Sequence, residues 1–189
     1  AIVRLNANGS VDASFNNNGY RNENCLSGEC YMTSVAVQPD GKILAAGRFS
    51  ESFSPTGIDF GIFRYNPDSS RDNSFDTDGK VFTHFGGIDG VTAMALQPDG
   101  KIVAAGIASE GTNSDFAIAR YNPDGSLDTS FDNHGKASTD IQGGNDNVQT
   151  IVLQADGKIV AGGSSFNAGF YLAIVRYNPD GSIDNSFDG

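Results

Sequence analysis

The sequence predicts an all-β chain built as β-propeller blades, each of four short antiparallel strands. Three observations predict it. One segment recurs four times, as AIVRLNANGSVDASFNNNG from Ala1, GIFRYNPDSSRDNSFDTDG from Gly61, AIARYNPDGSLDTSFDNHG from Ala117 and AIVRYNPDGSIDNSFDG from Ala173, at intervals of 60, 56 and 56 residues. A second segment keeps the same beat: VAVQPDGKILAAG ending at Gly47, MALQPDGKIVAAG ending at Gly106 and IVLQADGKIVAGG ending at Gly163. The 24 glycines, with many Asn, Asp and Ser and no sustained 3.6-residue period, suit short strands and tight turns.

The second signature is a hairpin of two strands, a and b. An alternating apolar run meets Gln-Pro-Asp-Gly-Lys and returns as another apolar run. Pro98 presets φ for the first turn position, Asp99 suits the second, and Gly100 supplies the positive φ of a three-residue loop with a G1-type bulge. Ala155 replaces the proline in the third copy, which loses preorganisation and keeps the turn.

The first signature closes around Asn-Pro-Asp-Gly-Ser as strands c and d. A loop centred on Asp124 sets Arg120 opposite Asp128, four residues on either side, and each copy keeps the pair: Arg4 with Asp12, Arg64 with Asp72, Arg176 with Asp184. Opposite charges facing across a sheet stabilise it, and charges that recur in every unit are better read as scaffold than as a catalytic or anion-binding array. Counting c, d and then three sets of a, b, c, d predicts 14 strands, about 3.5 blades, in a single repeat array over 1–189 with units 1–60, 61–116, 117–172 and a partial 173–189. Propellers close with more blades than that. The expectation is therefore either a piece of a longer propeller or a homodimer closing a seven-bladed ring, with the mid-repeat end at Gly189 and the absent signal peptide taken as marks of a mature or excised segment. A β-solenoid is the structural alternative, disfavoured because these turns demand hairpins.

With both signatures in view, the alternation of LQPDGKIVAAG with FAIARYNPDGSLDTSF at a spacing near 56 resembles the delta-60 repeat family of bacterial proteins over essentially the whole chain. The resemblance implies a propeller-like β architecture in large proteins, often secreted or surface-exposed. Asn6-Ala7-Asn8-Gly9, Ser69 and the CLSGEC loop depart from the pattern.

Binding residues are sought where copies differ, since repeated residues build the scaffold. The b–c connection varies most, and its versions RFSESFSPTGIDF, IASEGTNSDF and SSFNAGFYL offer Phe49, Glu51, Phe53, Glu110, Phe166 and Tyr171 as candidate ligand-binding residues for a glycan or a protein. No cofactor is predicted beyond a weak calcium site, for which Asp76 and Asp78 are the candidates. Asp76 and Asp78 open a partial calcium-loop pattern, yet the twelfth position is Gly87 instead of Glu, and equivalent loops lose the carboxylates. Cys25 and Cys30, alone and four residues apart, predict a small disulfide in an oxidising compartment, with free thiols as the alternative.

A net charge of −11 and a pI near 4.3 disfavour nucleic acid and anionic membranes, and apolar runs of about eight residues are too short to span a bilayer. No linear motif for nucleophilic, metalloprotease or phosphate chemistry occurs. The expectation is a secreted or cell-surface binding or structural module and not an enzyme. The alternatives are a catalytic propeller with acidic residues at its central channel, or a spacer without ligand.

Overall fold

In the computed structural model, residues 1–23, 30–50 and 57–187 are described, Glu110 through its backbone alone. The described strands are β1 (Ile2–Val3), β2 (Tyr20–Arg21), β3 (Cys30–Val37), β4 (Ile43–Phe49), β5 (Asp59–Tyr65), β6 (Lys80–Thr83), β7 (Asp89–Leu96), β8 (Ile102–Glu110), β9 (Asn113–Tyr121), β10 (Lys136–Thr139), β11 (Asn145–Leu153), β12 (Ile159–Phe166) and β13 (Phe170–Tyr177). They form a two-stranded sheet, β1-β2; two four-stranded sheets, β3-β4-β5-β6 and β7-β8-β9-β10; and a three-stranded sheet, β11-β12-β13, all antiparallel meanders. These are the second and third blades complete and the first and fourth in part: a β-propeller fold.

The a–b turn takes the predicted form. Gln97 N–H donates to the Lys101 carbonyl at 2.9 Å and Gly100 N–H to the Gln97 carbonyl at 2.9 Å, with Gly100 at φ +85°. Ala155 leaves it unchanged, since Gln154 N–H still reaches the Lys158 carbonyl at 2.8 Å.

The predicted strand d is corrected. After Asn-Pro-Asp-Gly-Ser only single bridges form, Leu5 to Val11, Tyr65 to Arg71, Tyr121 to Leu127 and Tyr177 to Ile183. The chain then turns away, because the aspartate that follows closes a turn of its own. Asp128 Oδ1 accepts from the Ser130 amide at 3.1 Å and hydroxyl at 2.7 Å, and its carbonyl accepts from Phe131 N–H at 2.9 Å. The outer strand comes later, as Lys80–Thr83 on β5 and Lys136–Thr139 on β9. Among the described residues there are thus 13 strands, not 14.

The inner strands carry a bulge, with register shifts between Met32 and Ser34, Val91 and Ala93, and Val148 and Thr150. It explains the glycine ending each second signature: a Cβ at Gly106 would lie 1.9 Å from the Gly90 carbonyl oxygen. The bulged threonines point to the next blade, Thr33 Oγ1 donating to the Val91 carbonyl at 2.6 Å and Thr92 Oγ1 to that of Val148 at 2.5 Å.

The core lies between blades. Phe60, Ile62 and Phe75 of the second blade pack with Val91, Ile102 and Tyr121 of the third, and Phe116, Ile118 and Phe131 of the third with Val148, Ile159 and Tyr177 of the fourth. Leu172 and Ile174 occupy in the fourth blade the places of Phe116 and Ile118, yet Leu172 is 84% exposed where Phe116 is 0%. Val35 and Val37 are exposed at the opposite end, where the third blade buries Met94 and Leu96 in part. Because the strands alternate in direction, the a–b and c–d turns share one face, and the b–c turns and blade-to-blade connections share the other.

Candidate functional site: carboxylate groups at the blade junctions

On the first of these faces each repeated arginine is a hub. Arg120 Nε lies 2.7 Å from Asp128 Oδ2, Nη2 donates to Ser130 Oγ at 3.3 Å, and the guanidinium sits 4.6 Å above the Phe131 ring centroid. Its Nη1 crosses to the fourth blade and donates to the Pro179 carbonyl at 2.5 Å. Lys101, from the a–b turn, brings Nζ to 2.8 Å from the same Asp128 oxygen. The second blade repeats the set: Arg64 to Asp72 at 2.6 Å, to the Pro123 carbonyl at 2.5 Å, and Lys42 to Asp72 at 2.9 Å. Arg4 pairs with Asp12 at 2.8 Å and reaches the Pro67 carbonyl, and Arg176 pairs with Asp184 at 2.6 Å beside Lys158.

Burial raises the Asp72 and Asp128 carboxyls, but the Ser74 or Ser130 hydroxyl and amide, the lysine and the arginine outweigh it and hold both well below the usual carboxylate range. Lys158 and Ser186 do the same for Asp184. The bonds to aspartate, serine and lysine tie turn to turn within a blade and the Nη1 bonds of Arg64 and Arg120 tie one blade to the next, so these groups act as a lock.

The opposite face carries a feature that the repeat comparison missed. Between the second and third blades Asp59, His84 and Asp89 converge, and between the third and fourth Asp115, Asp140 and Asp146 do so, each residue offering one ligand atom within 4.8 Å of the others in its group. The two groups are equivalent. Asp59 and Asp115 precede the repeated arginine by five residues, His84 and Asp140 follow the turn glycines Gly79 and Gly135 by five, and Asp89 and Asp146 precede the turn glutamines Gln97 and Gln154 by eight. The same offsets lead to Tyr171 on β13 and to Cys30 on β3, so the outer copies lack the set.

In the first group His84 Nδ1 lies 3.0 Å from Asp59 Oδ1 and 3.4 Å from Asp89 Oδ2. The imidazole is half-exposed and both carboxylates are buried. Burial pushes the Asp89 carboxyl up, against the Phe85 and Ser109 amides and His84. In the second group Asp146 is wholly buried; its Oδ2 accepts from Ile141 N–H at 2.6 Å, and its Oδ1 accepts from no described residue. Leaving such an oxygen unsatisfied costs about 1–3 kcal/mol. Asp140 Oδ1 accepts from Gly143 N–H at 2.8 Å within the connection from β10 to β11, where Gln142 and Gly143 both adopt positive φ.

The residues proposed from sequence scatter. Phe49 is buried, its ring centroid 4.5 Å from that of Phe63 in a tilted contact, and packs in the core. Glu51 and Phe53, the side chain of Glu110, and Cys25 lie outside the described residues; Cys30 begins β3. Phe166 and Tyr171 are exposed on the b–c face, where Phe166 meets Phe170 at 4.8 Å between ring centroids. Asp76 and Asp78 sit in the turn before β6, Asp76 donating its amide to the Asp124 carbonyl at 2.8 Å and Asp78 Oδ2 lying 3.6 Å from Lys80 Nζ, and neither joins a three-ligand group among the described residues.

A family model described as a β-propeller domain of unknown function, DUF5122, matches residues 1–15, 38–75, 97–131 and 154–187, more than half of the chain. The chain belongs to the DUF5122 β-propeller family. The matched stretches hold most of both signatures and the whole arginine lock, and leave out His84, Asp89, Asp140 and Asp146. No curated protein matches it. Among solved structures it is similar to a protein of unknown function from Dyadobacter fermentans, at 13% identity and TM-score 0.50, over 79% of this chain and 48% of that one. It is also similar to XC5397 of Xanthomonas campestris, described as a gluconolactonase, at 13% identity and TM-score 0.43, over 79% of this chain and 44% of that one. The chain therefore spans about half the length of these structures.

Proposed function

We propose that the chain is part of a closed propeller that serves as a binding module, taking a glycan or a protein surface on its b–c face. The observation that carries the reading is the exposed aromatic cluster of Phe166, Phe170 and Tyr171 at the tip of the β12–β13 hairpin, on the face where the copies differ most. Aromatic side chains there offer rigid contact area at low entropy cost. The uncovered Leu172 and Ile174 support closure of the ring by further blades or by a second copy. The likeness to delta-60 repeats and the pair of cysteines support a secreted or surface-exposed bacterial protein. A glycan and immobilised-protein array probed with the chain tests the proposal. Phe166→Ser and Tyr171→Ser should weaken retention at least tenfold while leaving the melting temperature within a degree or two, and retention of no ligand would instead favour a structural spacer.

A second reading, a propeller hydrolase or lyase, has one observation in its favour: a half-exposed imidazole backed by two buried carboxylates at Asp59, His84 and Asp89, an arrangement suited to a general base. It predicts turnover that His84→Gln abolishes.

A further inference from the structure

We propose that Asp115, Asp140 and Asp146 form a calcium site that staples the third blade to the fourth, and that the His84 ring fills the corresponding place one junction earlier. The two groups occupy equivalent places, so each is a control for the other. At the first junction the imidazole bridges Asp59 and Asp89 at 3.0 and 3.4 Å, the place a cation takes between two carboxylates. At the second the imidazole is replaced by the Asp140 carboxylate, and neither Asp140 nor Asp146 forms an ion pair with a described residue.

A cluster of carboxylates alone would signify little. What points to a ligand is Asp146, which is completely buried, belongs to the cluster, and keeps one oxygen without a hydrogen bond from any described residue. A buried anion with an open lone pair beside two further carboxylates is stable when a cation meets it. The donors are all hard oxygens, which selects calcium or magnesium over zinc or copper. Ligand atoms within 4.8 Å of one another suit a central ion about 2.4 Å from each, the calcium distance. Asp140 is exposed, which leaves room for the waters that complete calcium's coordination, and calcium's tolerance of irregular geometry fits ligands drawn from β9, β11 and a connection.

The connection is already shaped for this. Asn113 Nδ2 donates to the Gly143 carbonyl at 2.9 Å and Ser114 N–H to Asn145 Oδ1 at 3.1 Å, so the β8–β9 hairpin ties both the Asp140 segment and the start of β11 to the third blade before any ion arrives.

Calcium chloride titrated calorimetrically into chelator-stripped chain at neutral pH tests the site. One ion per chain is expected, with magnesium bound at least tenfold more weakly, and a melting temperature about 5–10 °C higher at calcium some 100-fold above Kd. Asp140→Asn, at an exposed position, should abolish binding without unfolding the chain. His84→Asp should raise the stoichiometry to two, and Asp140→His should reduce it to none while restoring much of the stability lost on chelation. Absence of binding to the wild-type chain, full binding to Asp140→Asn, or equal affinity for magnesium would overturn the assignment.

Discussion

The junction between the second and third blades and the junction between the third and fourth use one backbone plan and one arginine lock, and differ chiefly in the group that meets two aspartates, both buried at the first junction and one buried, one partly buried at the second. At the first that group is His84; at the second it is Asp140. The cohesion of the propeller is thus layered. The lock on one face, the bulge threonine at the inner strand and the apolar layer between sheets recur at both junctions, so the opposite face can vary without loss of the fold. At the first junction an imidazole fills the space between two carboxylates, and at the second a third carboxylate stands there, the set proposed to hold the ion.

The largest effect is expected from breaking what the junctions share. Arg64→Met and Arg120→Met each leave a buried aspartate with only its lysine and serine partners and remove the bond to the next blade, and should cost alike, about 2–4 kcal/mol by urea unfolding. Arg4→Met, at a pair whose arginine side chain is 34% exposed, should cost no more than about 1 kcal/mol. Unequal costs at Arg64 and Arg120 would mean that the junctions differ in more than their acid groups.

Next in size is His84→Ala, which leaves Asp59 and Asp89 facing each other without the imidazole. It should cost about 1–3 kcal/mol at neutral pH. A cost near zero would mean that the imidazole adds nothing to that junction.

Smaller still is a difference in pH dependence. Asp89, held above the ordinary range, binds its proton more tightly folded than unfolded, so the stability linked to it is full at low pH and declines as pH rises from about 4 through its folded value. Asp72 and Asp128 run the other way: their contribution is full above about pH 4 and is lost as pH falls toward their lowered values. Asp89→Asn should remove the decline above about pH 4 and leave the acid limb in place, as urea midpoints measured across that range would register.

The contrast also explains what the sequence could reveal. Strands, turns and the Arg–Asp register were legible because each is local, set by alternation and by turn residues within a dozen positions, and written several times over. The outer strand was misplaced because Lys80–Thr83 is four residues long and follows a serine-aspartate turn that looks like more strand. Phe49 looked like a loop aromatic because it adjoins the variable b–c connection, whereas the sheet carries β4 far enough to bury it against Phe63. The acid groups stayed hidden for a different reason. Asp59, His84 and Asp89 come from two blades and meet only when the blades pack, and the pattern holds in two copies while Tyr171 and Cys30 interrupt it in the others. Alignment of the copies on Gly79 and Gly135 is the signal that finds them.

The most direct test of the account is the urea midpoint of the wild-type chain at neutral pH in calcium and in chelator. Two separated transitions, with the calcium curve at higher urea and the gap closed by Asp140→Asn, are the predicted result. Superimposed curves for the wild-type chain would contradict the claim that the second junction takes its positive charge from solution.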